Sequence, residues 1–288
     1  MKKFVKILAV VMAIALTATM FFGCGKKDEN AGANKVKVIE IDLTQEEYAF
    51  GVDKDQPELL EQVNAFITQI KADGTFEEIC NKYFGDGTPT PAVSAVEDPS
   101  KDQLVVATNA SFEPFEFTKG EAYYGIDMES AALLADSLGK ERVISNMDFD
   151  SVCLSVGQHK CDIAMAGLTI KPDREEYVNF SIPYYEASQR LIVMEDDTRF
   201  DGCEAAAAVE EVLNGLDAAT KIGVQNGTTG QFYVEGDESW GFAGFDVKCV
   251  GYKNGSLAVQ DLINGGLDFV IIDSAPATFI TEAINAVQ

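Results

Sequence analysis

The chain has 288 residues, 47 acidic against 22 basic side chains, a formal charge of −25 and an apolar share of 47%. So acidic a chain is a poor nucleic-acid binder, because that binding rests on Lys and Arg neutralising phosphates. Six cysteines without a Cys-x-x-Cys pair, and His159 as the one histidine, leave no zinc ligand set; neither a metal nor another cofactor is expected.

"MKKFVK" carries lysines and no acid, and "ILAVVMAIALTATMFF" is apolar. Together they predict a signal peptide over residues 1–23, short for a membrane span of about 20 apolar residues. "FFGC" resembles a lipobox, which makes Cys24 the lipid-bearing mature N-terminus. Phe21 and Phe22 stand where that pattern prefers Leu and a small residue, and an uncleaved N-terminal anchor is the alternative. Residues 24–34, "CGKKDENAGAN", have the composition of a flexible tether.

"KVKVIEI" alternates like a strand, and "EYAFGVDKD" is a second candidate. "PELLEQVNAFITQIKADG" opens on Pro57 and carries Leu59, Leu60, Val63, Phe66, Ile67 and Ile70 on one helical stripe. In "TFEEICNKYF" Thr75 is the expected cap of a short helix, with Glu78 completing a capping box. Residues 85–103, rich in Gly, Pro, Ser, Thr and acids, are expected to be a linker. A closing helix and a linker so near the start resemble the end of a protein placed first.

The chain then restarts. "QLVVATN" is a buried strand run, and "YYGIDMESAALLADSLG" a helix with Asp127 as expected N-cap. "RVISNMDFDSVCLSVGQHKCDIAMAGLTI" repeats strand, helix, strand, with His159 in a surface turn. This alternation indicates βαβ units. After the strand "PYYEASQRLIVME" a second α/β series follows, through "AAAAVEEVLNGLD", "KIGVQNGTTG", "QFYVEG", "DVKCVGY", "SLAVQDLINGG", "LDFVIIDS" and "APATFITEAINAVQ". Two lobes are expected. Beyond Cys24 stand Cys80, Cys153, Cys161, Cys203 and Cys249, an odd count; Cys203 and Cys249 are either a disulfide or reduced, partly buried thiols.

Three pieces carry chemistry. In "MAGLTIKPDREEYVNFSIPYY", Gly167 permits close backbone approach, Thr169 offers a hydroxyl, and Arg174 suits a carboxylate unless it is a surface ion pair. "GVQNGTTG" puts hydroxyls and N–H groups between a strand and a helix N-terminus, as an anion receptor or an ordinary turn. Asp273 ends the buried strand "FVIID", where open α/β sheets bind ligands, or else caps the next helix. Combined, they make a receptor for a zwitterion.

"LVVATNASFEPFEF", "YYGIDMESAALLADSLG", "DIAMAGLTIKPDREEYVNFSIPYY", "KIGVQNGTTGQFY" and "LDFVIIDSAPATF" resemble, in order, the amino-acid-binding solute-binding proteins of ABC importers, glutamine- and histidine-binding type. The resemblance implies an α/β, two-lobed, periplasmic-binding-protein-like (type II) fold with two hinge crossovers. In that family the segment ending "EEICNKYFG" is the C-terminus, so the sequence looks circularly permuted; a fused fragment is the alternative. The implied domains are a strand of lobe 2 at 35–42, lobe 1 at 43–187 with linker 85–103, and lobe 2 at 188–288.

The resemblance also implies roles. Arg174, with the Thr169 and Thr229 N–H groups, takes the ligand α-carboxylate; Asp273, the Gly167 carbonyl and the Thr169 hydroxyl take the α-ammonium. Phe112 and Phe149 flank the ligand side chain, or pack as core, and Asn109 and Gln225 touch its polar end. Relatives preferring cationic or amide ligands often have Asp where Asn109 stands, which argues for a neutral polar L-amino acid. The expected partners are that ligand, ABC-transporter permease subunits, and the membrane through lipid on Cys24. The protein is expected to be a monomer on the outer face of the cytoplasmic membrane, with no catalysis. The rival reading is an exported cyclohexadienyl (prephenate/arogenate) dehydratase on the same fold, which needs a general acid in the cleft.

Overall fold

The computed structural model describes residues 35–287; the predicted signal peptide, the tether and Cys24 lie outside them. In chain order the strands are β1 (Val36–Ile39), β2 (Glu46–Tyr48), β3 (Gly51–Asp53), β4 (Gln103–Thr108), β5 (Ser111–Phe112), β6 (Glu116–Lys119), β7 (Ala122–Tyr124) and β8 (Glu141–Asn146). They continue with β9 (Ile163–Ala164), β10 (Val178–Phe180), β11 (Tyr185–Ala187), β12 (Gln189–Met194), β13 (Lys221–Gln225), β14 (Lys248–Tyr252) and β15 (Phe269–Asp273). The helices are α1 (Pro57–Ala72), α2 (Thr75–Phe84), α3 (Ile126–Leu138), α4 (Val152–Gly157), α5 (Ala206–Asn214), α6 (Thr229–Glu235), α7 (Gly255–Ile263) and α8 (Ser274–Asn285).

Two five-stranded sheets dominate, ordered β10-β3-β9-β4-β8 and β1-β12-β15-β13-β14. In each, three neighbouring strands pair parallel, and the remaining two are joined at one side by antiparallel pairings. The parallel strands need helical cover on both faces, so they read as unbroken apolar runs: "FVIID" in β15 is buried at every position. Between the sheets run β2 and β11, which pair antiparallel with Tyr48 opposite Tyr185.

"EYAFGVDKD", expected as one strand, divides between two sheets: β2 pairs with β11, whereas β3 enters the first sheet beside β9. β1 lies against α8, the last helix; the Asn285 Nδ2 donates to the Val36 carbonyl at 2.8 Å and its Oδ1 accepts from the Val36 N–H at 3.2 Å.

Several local expectations are corrected. Thr75 is not the cap of α2: Gly74, at φ 85°, holds that position, and the Asp73 carboxylate accepts the Thr75 N–H at 3.0 Å. The left-handed turn at Gly74 brings Asp73 over the helix start, leaving Thr75 nothing to cap. Asp127 is not an N-cap either; it sits inside α3, fully buried, with Gly125 preceding the helix. The 85–103 segment is fastened down, because Ala92 exchanges backbone bonds with Tyr123 and Ser94 accepts from the Ile144 N–H. Cys203 and Cys249 are free thiols, each packed against the core of the second sheet. His159 is exposed as expected but not solitary, its Nδ1 lying 2.8 Å from the Asp53 carboxylate. Among the described residues no helix is long and apolar enough to cross a membrane.

Candidate functional site

Asn109, Gln225 and Asp273 stand at the ends of β4, β13 and β15, and Gly167, Thr169 and Arg174 follow β9; α/β topology brings such strand ends to one crevice. Arg174 begins a short 3-10 turn after the Pro172–Asp173 bend. Only 7% of it is exposed. Its guanidinium donates to the Thr169 carbonyl at 2.8 Å and to the Gly227 carbonyl at 3.0 Å, and lies 5.2 Å from the Phe149 ring centre. No carboxylate among the described residues lies within ion-pair distance. The surface ion pair that the sequence left open is therefore not its role. A buried cation facing carbonyls alone is incompletely compensated.

Thr169 lies opposite Tyr48 in an isolated antiparallel bridge. The flanking bonds run from the Ala49 N–H to the Leu168 carbonyl and from the Ile170 N–H to the Glu47 carbonyl. In that pairing the N–H and C=O of Thr169 point away from β2. The carbonyl meets Arg174. The Thr169 hydroxyl donates to Glu46 at 2.7 Å and accepts from the Thr229 hydroxyl at 3.3 Å. Thr229 opens α6, after Thr228, whose hydroxyl turns back to the Gln225 carbonyl.

Gly167 has φ 54°, and a Cβ there would stand 3.0 Å from the Phe112 ring and 3.4 Å from that of Tyr48. Glycine is required both for the backbone and for the space. Its N–H donates to Asp127 at 2.9 Å, and Asp127 also accepts from the Tyr184 hydroxyl. Burial pushes the Asp127 carboxyl up to about 7, against the lowering by those two donors.

Asp273 occupies the N-cap position of α8 but its side chain makes no capping bond. It accepts instead from the Tyr48 hydroxyl at 2.5 Å. Burial first, then the neighbouring Glu46 carboxylate, raise its carboxyl to about 7 despite hydrogen bonds from Tyr48 and Gln189. At the remaining end, Gln225 donates to the Asn109 side-chain oxygen at 3.1 Å, and Asn109 itself donates to the Met147 carbonyl. The Gln225 Oε1, buried, has no hydrogen-bond partner among the described residues.

Two pairs of predicted residues thus meet between the two sheets, Thr169 with Thr229 and Asn109 with Gln225, and Arg174 meets Gly227 there. Phe112 packs on Gly167 and Phe149 on Arg174. Glu46, Tyr48, Asp127, Gln189 and Gly227 were not foreseen. Their signal is weak in sequence: an acid–aromatic pair in "EEY" and a glycine in a turn.

The sequence profile of the bacterial extracellular solute-binding proteins, family 3, matches residues 7–86 and 104–274. A putative ABC transporter arginine-binding protein 2 of Escherichia coli (strain K12) is 32% identical over 173 residues, covering 60% of this chain and 63% of that one. The chain therefore spans less than two thirds of the length of this curated relative. The ancestral amino acid-binding protein AncCDT-1, described as a precursor of cyclohexadienyl dehydratase, superposes with a TM-score of 0.54 at 30% identity, over 63% of this chain and 74% of that one. An ancestral arginine-binding protein bound to glutamine superposes with a TM-score of 0.53 at 32% identity, over 64% and 75% respectively. The fold is accordingly mixed α/β and periplasmic-binding-protein-like.

Proposed function

The chain belongs to the bacterial extracellular solute-binding proteins, family 3, and we propose that it captures one L-amino acid with a neutral polar side chain and presents it to an ABC-transporter permease. The observation that carries this reading is Arg174, a buried guanidinium without a carboxylate partner among the described residues. An α-carboxylate at Arg174 completes its charge, with the outward N–H of Thr169 and that of Thr229 as further donors. Asp273, the Gly167 carbonyl and the Thr169 hydroxyl take the ammonium. The amides of Asn109 and Gln225 favour an uncharged, hydrogen-bonding side chain, and the unpartnered Gln225 Oε1 favours one that donates an N–H.

The sheet of residues 43–187 and that of 188–288, with strand 35–42 joined to the latter, act as two lobes. Closure bends the chain near residues 42–46 and 184–188, and the ligand, bridging both lobes, shifts the population to the closed form. The chain is a circular permutation of its family's order: β1 lies where a strand after α8 would run. It is exported and held as a monomer at the outer face of the cytoplasmic membrane by lipid on Cys24.

The test is thermal unfolding of refolded, ligand-free protein against the L-amino acids, arginine and histidine included, and against prephenate. Ligand at 100 times its dissociation constant adds about 2.7 kcal/mol. A rise with a neutral polar L-amino acid supports the reading. A rise with arginine alone overturns the ligand class, and a rise with prephenate alone favours a dehydratase.

A further inference from the structure

Glu46 lies on β2 between the two sheets, with only 5% of it exposed. Its carboxylate accepts from three donors: the Thr44 hydroxyl at 2.6 Å, the Gln189 amide at 3.0 Å and the Thr169 hydroxyl at 2.7 Å. Thr44 in turn accepts the Gln189 N–H at 2.9 Å, so its own proton is committed to Glu46. Gln189 stands opposite Asp273 in the β12–β15 ladder. One side chain therefore gathers the second sheet, the strand between the sheets and the Thr169 turn of the first.

A carboxylate is acceptor-only, so it fixes the hydroxyl facing it. The Thr169 proton points at Glu46, and the lone pairs of its oxygen point elsewhere; one meets the Thr229 hydroxyl. An ammonium, which only donates, needs such lone pairs. We propose that Glu46 is the positioning residue of the ammonium pole: it turns the Thr169 hydroxyl into an acceptor and sets the charge against which Asp273 holds its ligand. This rests on the zwitterion reading given above.

The second half of the role is electrostatic. Asp273 faces Glu46 and Tyr48 from β2, Gln189 from β12 and Glu116 from β6. Glu116 is fully buried with neither oxygen partnered among the described residues, and burial holds it well above the usual carboxylate range. Glu46 is the neighbour whose charge raises Asp273, so neutralising it lets Asp273 ionise at lower pH.

The experiment uses Glu46→Gln and Glu46→Asp. Carboxyl-carbon NMR first follows Asp273 in the ligand-free proteins, assigned with Asp273→Asn. The Asp273 midpoint falls in Glu46→Gln and stays near the wild-type value in Glu46→Asp. An unchanged midpoint in Glu46→Gln overturns the inference whether or not any ligand binds. Calorimetry with L-glutamine and L-arginine then follows binding from pH 5 to 9. Because a hydrogen bond to a charged group is worth about 1.5–3 kcal/mol, Glu46→Gln weakens binding by about tenfold or more at pH 9, with its acid limb moved to lower pH. Equal binding and an unmoved limb overturn the positioning role. If neither binds the wild type, the amino acid giving the largest thermal shift replaces them; if no L-amino acid binds, the ligand reading fails, and the NMR result still decides whether Glu46 governs Asp273.

Discussion

The Tyr48 hydroxyl donates to the Asp273 carboxylate at 2.5 Å, tying β2 to the end of β15 across 225 positions of sequence. The bond takes one carboxylate oxygen and fixes the other. Burial nevertheless raises the Asp273 carboxyl from 3.8 to about 7. Between those values the folded protein holds a proton that the unfolded chain has released, so the stability linked to this group is present below 3.8 and lost as pH rises through about 7. Asp273→Asn keeps an acceptor for Tyr48 and removes the charge. We expect the ligand-free variant to melt several degrees above wild type at pH 8 and to show little difference at pH 4, as read by calorimetry.

On the proposed reading the same proton shapes binding: an ammonium would be held by the charged form, so below about 7 the ligand would have to displace a proton. Affinity is expected to fall by up to about tenfold per pH unit there, and binding heats in buffers of different ionisation enthalpy should report net proton release.

Arg174→Ala removes the cation proposed to hold the ligand carboxylate. Breaking a buried charge pair costs about 2–5 kcal/mol of binding, enough to abolish the ligand-induced rise in melting temperature. Arg174→Lys keeps the charge but not the planar fork, and should recover only part of the affinity.

Asn109 and Gln225 meet at 3.1 Å in a buried, uncharged contact. Asn109→Asp places a carboxylate there, and the preference should shift by at least about tenfold toward arginine or lysine, a change of about 1.4 kcal/mol. Competition between labelled L-glutamine and L-arginine measures it.

Lys171, 1% exposed, sits 3.2 Å from the Phe232 ring centre and 2.8 Å from Asp237, and pulls the Asp237 carboxyl down to about 2. These contacts join the Thr169 turn to the chain around α6. A double-mutant cycle of Lys171→Met and Asp237→Asn should give a coupling of roughly 0.5–3 kcal/mol. This stability is present above 3.8 and lost as pH falls through about 2, so the coupling should shrink in acid.

Sequence carried the sheets well where apolar runs were continuous, as in β4 and β15, and it placed Asp273 at the end of β15 and Arg174 beyond the turn at Pro172–Asp173. It failed where a side chain's partner is remote. Asp127 looks like a cap because it precedes an apolar stripe, yet Gly167, 40 positions on, decides its role. Glu46 and Tyr48 occupy a strand of three residues, too short for a periodic signal. The 85–103 segment has linker composition, but backbone bonds such as Ala92 with Tyr123 fasten it independently of side-chain pattern.

Under the proposed function a zwitterion is read at both poles, by Arg174 and by Asp273. The most direct measurement is calorimetric titration of refolded, ligand-free protein at pH 8 with the L-amino acid giving the largest thermal shift, its D-enantiomer, its decarboxylated amine and its N-acetyl derivative. Saturable binding of the L-amino acid alone is expected, lost in Arg174→Ala and Asp273→Asn. Binding of the amine or of the N-acetyl derivative with comparable affinity, or undiminished binding by both variants, would overturn recognition at both poles.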